Sequence, residues 1–547
     1  MSRAPAQLPP TPSLLAPPEK AEGKTRGWRR WVSSALAALA VSGALANCGG
    51  SKRGPLGENY AYELAPPPKG RPTDSLGRVR PDVESFLVAT VPERTIGPFL
   101  ARRDNAAMVA YLASEGGARK VMAAPLTAQG KLVTPGRVVA TASGDVDMLV
   151  LRPTGGNRAG FVGLWTSLTD HGEALELMGI ADDGGPRGQP LEVARTNDDI
   201  VWVEAVRTSR GAICVWAEET RDDTANIFGV ALDTDGKPRG VATPIAKGVT
   251  GWQAVPTTMG AGLALATRTS GLLWMKLDGE ARPIGAPDVI VPKSFSGTDM
   301  DVARVGNAWV FAWTDRSGFD PQVMMASLDE GMHPADGDKK SAVKGPAPAI
   351  TSLGGARFVG LVALGEEGVA LAWDETGRSG RLHLTKLEPS GKYVQDASIA
   401  LELEGNAPPL MAAAGRGVGL LVNGRACLRT STTQACSAIS PGPMFVRLDE
   451  KLAPVQVEPL RLRDDRIASL GWGLDCGASG PRDARGDGHC LALVAVPEAG
   501  GAGVDAGSAG AASSQVHALN LAARASPYRA PLAAEPPPDA PRPLTLT

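Results

Sequence analysis

The chain has 547 residues, a formal net charge of -2 and a hydrophobic fraction of 43%. A chain of this length can bury a large core, and the balanced charge excludes the strongly basic surface by which proteins bind nucleic acid. Aromatic residues make up only 5%, yet tryptophan (11) outnumbers phenylalanine (9) and tyrosine (5). The positions of the tryptophans therefore carry information about the fold.

The N-terminal region has the layout of an export signal. Residues 1–30 are rich in proline and end in the basic stretch KTRGWRR, and we expect them to be disordered. The apolar run WVSSALAALAVSGALA (31–46) is short for a bilayer-spanning helix, which needs about 20 residues. It suits the hydrophobic region of a signal peptide, and the competing interpretation is an uncleaved N-terminal anchor.

The end of this region resembles the lipobox of bacterial lipoproteins. Residues 31–47 lead into Cys48, with Leu45 and Ala46 matching the family pattern and Asn47 departing from it, because Gly, Ala or Ser is usual there. The resemblance implies cleavage before Cys48 and acylation, for example with palmitate. A protein acylated in this way is held on a membrane, here the bacterial cell envelope at the outer membrane or the periplasmic face.

Composition divides the rest of the chain. Residues 48–80 are rich in Gly and Pro and are predicted to be a flexible tether. Residues 81–525 carry the repeats described below, and we expect the Pro-rich residues 526–547 to be disordered.

Cysteine spacing supports export. Cys427 and Cys436, and Cys476 and Cys490, form two local pairs that we predict to be disulfides, which requires an oxidising compartment. Zinc is the competing interpretation, but neither pair has the short spacing of a zinc knuckle. Cys214, within the apolar run AICVW, is predicted to be a buried strand residue.

A two-run pattern recurs about every 50 residues, a period typical of propeller blades. An apolar run, often ending in an aromatic residue, is followed by a polar gap and a second alternating run that ends in Leu or Ile. The first runs end at Tyr111, Trp165, Trp216, Ala266, Trp313, Trp373, Val422 and Ala495.

This period predicts an all-β fold, a β-propeller of eight (alternatively seven) four-stranded blades. Each two-run unit supplies a hairpin, with an inner strand before it (such as 299–305) and an outer strand after it (such as 454–462). Residues 84–91 form a strand without a hairpin, and we predict that they close the propeller as the outer strand of the last blade.

The aromatic residues at repeat spacing are predicted to be core, filling the wedge between neighbouring blades. An aromatic ligand cage is the alternative. The stretch Asp233 to Gly236 looks like the start of a calcium loop, but it lies where every repeat has a turn, so we predict a turn and no metal.

Charged residues follow the first run in several repeats. They are a candidate ligand face or, alternatively, solvated hairpin ends: Asp170, Glu218, Arg221, Asp315, Arg316 and Asp374. The sequence contains no GxSxG, HExxH or Walker motif, and its five histidines are scattered. We therefore predict no catalytic residue and no cofactor.

The pattern as a whole resembles bacterial envelope lipoproteins built on β-propellers. Our leading hypothesis is a monomeric, lipid-anchored, non-enzymatic scaffold that presents one face to an envelope protein or a glycan. The alternative is a polysaccharide hydrolase or lyase that uses carboxylates on the propeller face, and a third hypothesis is a purely structural envelope component.

Overall fold

In a computed structural model of the chain, the structure describes residues 84–521 apart from short internal stretches. These stretches are 93–95, 104–105, 116, 293–296, 317–320, 330–342, 351–355, 367, 376–380, 389–392, 404–408, 423–425, 430–433, 437–442, 453, 461, 463–465, 467, 469, 477–489 and 498–512. The predicted signal peptide, Cys48, the tether and the tail lie outside the described residues. Within the described part every element is a β-strand, and no helix there is long and apolar enough to cross a membrane.

Four-stranded antiparallel meanders are the repeating unit, and strand β1 (Glu84–Pro92) precedes the first of them. Meander 1 consists of β2 (Phe99–Arg103), β3 (Ala106–Glu115), β4 (Ala118–Thr127) and β5 (Arg137–Thr141). Meander 2 consists of β6 (Asp145–Pro153), β7 (Phe161–Thr169), β8 (Gly172–Ile180) and β9 (Leu191–Thr196). Meander 3 consists of β10 (Ile200–Thr208), β11 (Gly211–Glu219), β12 (Ala225–Leu232) and the first half of β13 (Thr243–Pro256).

The pattern continues to the end of the described chain. Meander 4 consists of the second half of β13, β14 (Ala261–Thr267), β15 (Gly271–Leu277) and β16 (Asp288–Val291). Meander 5 consists of β17 (Gly297–Val305), β18 (Ala308–Asp315), β19 (Gln322–Asp329) and β20 (Val343–Ile350). Meander 6 consists of β21 (Ala356–Ala363), β22 (Val369–Glu375), β23 (Arg381–Leu387) and β24 (Tyr393–Leu403).

The last two meanders contain insertions. Meander 7 consists of β25 (Leu410–Ala414), β26 (Gly417–Val422), β29 (Met444–Leu448) and β30 (Pro454–Pro459). Its inserted hairpin, β27 (Ala426–Arg429) and β28 (Gln434–Cys436), pairs with β24 and extends meander 6 to six strands. Meander 8 consists of β31 (Leu470–Cys476), β32 (Cys490–Pro497) and β33 (Ser513–Leu521), with β1 as its fourth strand.

Each predicted hairpin is confirmed as the second and third strands of one meander. The predicted pairing of residues 84–91 is also confirmed, because Glu84 lies opposite Asn520 and Val91 opposite Ser514 in an antiparallel ladder. We call the end of each meander where the second and third strands join its upper edge. The opposite end, where the third strand turns into the outer strand, is the lower edge.

Apolar clusters lie between neighbouring meanders. Each of the five predicted core aromatics lies in a cluster shared with the preceding sheet, and Tyr111 packs with Leu491 and Leu493 of meander 8. The other four are buried in the same way: Trp165, Trp216, Trp313 and Trp373. Their prediction as core residues is confirmed, since Trp165 is 0% exposed and Tyr111, the most exposed of the five, is 7% exposed.

The predicted position equivalent to Trp216 is wrong by one residue in two repeats. In meander 8, Val494 and Val496 pack on the preceding meander, whereas Ala495 lies opposite Val516, which packs on meander 1. The second case is meander 4. Trp216 stands four residues after Ala212, which pairs with Leu232 beside the lower-edge turn. In meander 4 the residue opposite Leu277 at that turn is Ala261. The equivalent of Trp216 is therefore Leu265, not Ala266, and meander 4 has no aromatic residue at this position.

Lower-edge turns pack onto the preceding meander. In meander 3, Asp233 Oδ1 accepts hydrogen bonds from the backbone N–H of Asp235 (2.9 Å) and of Lys237 (2.8 Å), and Gly236 has a positive φ of 77°. The carboxylate thus shapes the turn, and the predicted turn is confirmed. A Cβ on Gly179 of meander 2 would lie 1.8 Å from the Asp235 carbonyl oxygen, so the two backbones are in close contact.

Candidate functional site

The six predicted ligand-face residues lie at the upper edges of meanders 2, 3, 5 and 6. Asp170, in the turn between β7 and β8, and Arg221, in the loop between β11 and β12, are exposed. Glu218 is half-buried near the end of β11 and accepts a hydrogen bond from Trp216 Nε1 at 2.9 Å. Glu218 therefore helps to hold a core tryptophan.

The three remaining residues are distributed over meanders 5 and 6. Arg316 makes an ion pair of 3.2 Å with Asp299 at the start of β17. Asp315 ends β18 and lies opposite Gln322. Asp374 lies in β22, and its side chain is outside the described residues. The Glu218–Trp216 hydrogen bond and the Arg316–Asp299 ion pair each lie within one meander, so they do not join the predicted residues into one site.

Two buried glutamates of β8 were not predicted from the sequence. Glu173 is 3% exposed, and its Oε2 accepts the backbone N–H of Ile200 in meander 3 at 2.7 Å. Burial raises the pKa of Glu173. Glu176 Oε2 accepts hydrogen bonds from Trp165 Nε1 (2.8 Å), Ser167 Oγ (2.6 Å) and the Ser143 N–H (3.2 Å). Both carboxylates therefore accept hydrogen bonds from groups that belong to the core of the fold.

Charged residues of the inner strands join neighbouring meanders. Arg152 donates Nε and Nη2 hydrogen bonds to Glu204 at 2.7 and 2.8 Å, a bidentate geometry between meanders 2 and 3. The Asp475 carboxylate of meander 8 accepts the backbone N–H of Arg102 in meander 1, and burial raises the pKa of Asp475. These groups stabilise the contacts between sheets.

Asp301 is a deeply buried connection of the same kind. Its Oδ1 accepts the Gln253 amide at 3.0 Å and the Val302 N–H at 2.8 Å, and its Oδ2 accepts the Leu361 N–H at 2.7 Å. Asp301 thus connects meanders 4, 5 and 6. Burial raises its pKa to about 6 against the opposing effect of these hydrogen bonds.

A half-open cleft of about 290 Å³ lies at the upper edge between meanders 3 and 4. Its floor is apolar and is formed by Ala246, Leu265, Leu273 and Met275. Leu265 occupies the position that an aromatic residue fills in five other meanders, and it is itself fully buried in a cluster against which Trp202 and Trp252 pack. The cleft therefore lies above this smaller side chain. The only sequence signal for this cleft is the missing aromatic residue in the fourth repeat.

The mouth of the cleft is polar. Lys247 and Arg268 supply two cationic groups, and Thr269 and Ser270 supply hydroxyls. Asp222 lies on the same rim, where hydrogen bonds from Thr220 (2.5 Å) and Thr224 (3.0 Å) lower its pKa. The Asp222 carboxylate therefore stays ionised at neutral pH, and it accepts hydrogen bonds from threonines of its own loop.

Cysteine positions agree with the predictions where they are described. Cys476 and Cys490 form a disulfide between β31 and β32. Cys427 and Cys436 lie directly opposite each other in the β27–β28 hairpin, but their side chains are outside the described residues and their disulfide stays a prediction. Cys214 is a buried thiol, and burial raises its pKa. Among the described residues, no three His, Cys, Asp or Glu side chains form a metal-binding group.

No protein-family model and no curated protein matches the chain. Among solved structures, it is similar to the β-propeller domain of the Trilobed protease from Pyrococcus furiosus, with 8% identity over 72% of this chain and 99% of that chain and a TM-score of 0.35. It is also similar to prolyl oligopeptidase B from Galerina marginata, with 11% identity over 72% of this chain and 53% of that chain and a TM-score of 0.38. The acylaminoacyl peptidase of Pyrococcus horikoshii matches with 9% identity over 63% of this chain and 52% of that chain and a TM-score of 0.32.

The chain spans about half the length of these two peptidases, and no functional residue is carried over from likenesses this distant. Strand topology defines the class of the protein. Successive four-stranded antiparallel meanders that pack on one another in chain order make it an all-β protein of the β-propeller class.

Proposed function

We propose that the eight meanders are the blades of one closed ring, fastened by β1. Inner strands contact each other in sequence from β2 through β6, β10, β13, β17, β21 and β25 to β31, and β31 contacts β2. Apolar clusters accompany these contacts, including the one between meanders 8 and 1. A seven-bladed ring would leave one meander outside this succession.

The ring is anchored through an acylated Cys48 at a bacterial cell envelope. The support comes from the sequence of residues 31–48, which lie outside the described part. The chain enters β1 at Glu84, which lies opposite Asn520 near the end of β33 and therefore at the lower edge. A tether attached there leaves the upper edge available to partners.

The function is that of a non-enzymatic binding scaffold that presents its upper edge to an envelope protein or glycan. The cleft between meanders 3 and 4 is the observation that carries this proposal. An enzyme acting through paired carboxylates would need two of them facing one pocket, whereas Asp222 is the single carboxylate among the described residues that line the cleft.

Fractionation of cells that produce the wild type or Cys48→Ala tests the anchor. The wild type is expected in the detergent-soluble membrane fraction and the variant in the soluble fraction. Membrane retention of the variant contradicts the anchoring. Labelling with a radioactive fatty acid provides a second measurement. Absence of label from the wild type would also contradict anchoring through Cys48.

Affinity capture from detergent-solubilised envelopes tests the scaffold. Wild type and Leu265→Trp are compared, with Arg282→Gln at the lower edge of meander 4 as the control. A partner retained by the wild type and the control but lost by Leu265→Trp supports binding at the upper edge. Equal recovery with all three proteins contradicts it.

A further inference from the structure

Filled wedges surround the cleft at the meander 3–4 boundary. At the equivalent position, meanders 1, 2, 3, 5 and 6 carry a buried Tyr or Trp packed on the preceding sheet. Meander 4 carries Leu265 there, and the neighbouring floor residues Leu273 and Met275 are half-buried. Leu265 is itself fully buried, so the space above it is bounded by Leu273 and Met275 and opens to the upper edge. A flat ring is the side-chain shape that five other meanders carry at the equivalent position.

The groups at the rim define the second part of a ligand. Lys247 and Arg268 are both exposed at the mouth. Arg268 Nη2 lies 3.5 Å from the Asp223 carbonyl oxygen, which keeps its guanidinium beside the cleft. The Lys247 ammonium has no ion pair with any described residue. Asp222, whose pKa is lowered by the hydrogen bond from Thr220 and also by the charge of Arg268, attracts that guanidinium but makes no ion pair with it, so both cations can pair with an incoming anion.

We propose that this cleft binds a small organic anion in which one flat apolar ring system carries a carboxylate. The ring lies above Leu265, where five other meanders have an aromatic side chain, and packs against Leu273 and Met275. The carboxylate lies between Lys247 and Arg268, with the hydroxyls of Thr269 and Ser270 in reach of its remaining lone pairs. This inference goes beyond the proposed scaffold, because it assigns a small-molecule ligand to the cleft in addition to the protein or glycan bound by the upper edge.

The volume agrees with this class. Ligand pockets in proteins begin at about 300 Å³, and the 290 Å³ of this cleft suits one or two fused rings. Asp222 opposes an anion, but its charge is turned toward the hydroxyls of Thr220 and Thr224. It favours a ligand with one negative group over a ligand with several.

Isothermal titration with three probes tests both parts of the ligand. The probe 1-naphthylacetate has the ring and the charge, 1-naphthylmethanol has the ring alone, and acetate has the charge alone. We expect one molecule of 1-naphthylacetate to bind per chain, about tenfold more tightly than 1-naphthylmethanol, and no measurable binding of acetate. Equal binding of the two naphthyl compounds, or no binding of 1-naphthylacetate, overturns the proposal.

Three variants locate the site. Leu265→Trp fills the wedge with a residue that five equivalent positions already accommodate, so we expect an unchanged Tm and loss of 1-naphthylacetate binding. The double variant K247Q/R268Q leaves the floor of the cleft intact and is expected to weaken 1-naphthylacetate binding about tenfold. If Leu265→Trp does not fold, this double variant alone tests the location of the site. Arg282→Gln at the lower edge is the control.

Wild-type affinity in a folded Leu265→Trp or in K247Q/R268Q overturns the assignment of the site. That outcome leaves the Cys48 fractionation and the capture experiment standing, because neither uses these probes. Equal partner recovery by the wild type, Leu265→Trp and Arg282→Gln, together with probe binding by the wild type, would instead contradict the scaffold and leave the ligand site in the cleft standing.

Discussion

Asp301 accepts the backbone N–H of Leu361 through Oδ2 at 2.7 Å, across the boundary between meanders 5 and 6. The same carboxylate receives the Gln253 amide from meander 4. A single side chain therefore connects three successive sheets. Because the Asp301 carboxylate is buried, the free energy needed to keep it charged in the folded state affects the stability of the whole protein.

The free energy of unfolding should depend on Asp301 in a defined pH window. Its folded-state pKa of about 6 lies above the ordinary value of 3.8, so the folded protein binds this proton more tightly than the unfolded chain. The resulting stabilisation is fully present below about pH 4 and is lost as the pH rises through about 6. Relative to Asp301→Asn, the wild type should lose up to about 3 kcal/mol between these values, as measured by urea unfolding.

The Asn variant also loses an acceptor for one of three donors, which lowers its stability at every pH by about 1–3 kcal/mol. Only the pH-dependent part of the difference reports on titration. A constant difference between about pH 4 and about pH 6.5 would show that Asp301 does not titrate there.

Gly179→Ala should detach the lower-edge turn of meander 3. The added Cβ would lie 1.8 Å from the Asp235 carbonyl oxygen, and Asp235 also makes a 3.3 Å ion pair with Arg187. We expect a loss of about 1–3 kcal/mol from this overpacking, measured by chemical denaturation.

Gly163→Ala on the adjacent strand is the matched control. Its added Cβ would meet Ile180 Cδ1 at 3.4 Å, an ordinary contact distance, so the loss should stay below about 1 kcal/mol. Equal losses in the two variants would contradict the close approach of the Asp235 backbone.

Counting thiols tests the disulfide prediction at Cys427 and Cys436. The chain has six cysteines, and Cys48→Ala leaves five. Exported Cys48→Ala protein, denatured without reductant, should show one reactive thiol, that of Cys214. Three thiols would mean that Cys476–Cys490 is the only disulfide, and five would mean that neither pair is oxidised.

Removing β1 should uncover one edge of meander 8. Val88 and Val91 are buried, and β1 pairs with β33 over most of the length of both strands. A truncation that begins at residue 97 should therefore lose about 3 kcal/mol or more, seen as a lower Tm. A truncation that begins at residue 81 is the control, and equal Tm values for the two would contradict closure by β1.

Hairpins are predictable from the sequence because alternation and turn residues act over a few positions. The aromatic residue at the end of five first runs marks the register there. The fourth repeat has no such mark, and the prediction of its equivalent residue is wrong by one position, at Ala266 in place of Leu265. The apolar segment LALA fits either register, and only pairing with β15 decides between them.

Other features depend on contacts between distant segments. Glu173 and Glu176 lie in a strand whose sequence alone would allow an exposed face, yet both are buried by neighbouring sheets. No local signal indicates that Ile200 and Ser143 supply donors to them. The docking of the β27–β28 hairpin on β24 likewise depends on the packing of two meanders, which spacing alone does not determine.

The ribosome makes β1 before every other described strand, but β1 pairs with β33, the last of them. The partners of β1, Asn520 to Ser513, leave the ribosome only after all the other described strands have been made. Until then the edge of β1 has no native partner, and long-range pairing of this kind is slow and exposed to aggregation. The delay is consistent with the export that we propose, because a chain that cannot complete its last sheet during synthesis remains unfolded enough to be translocated.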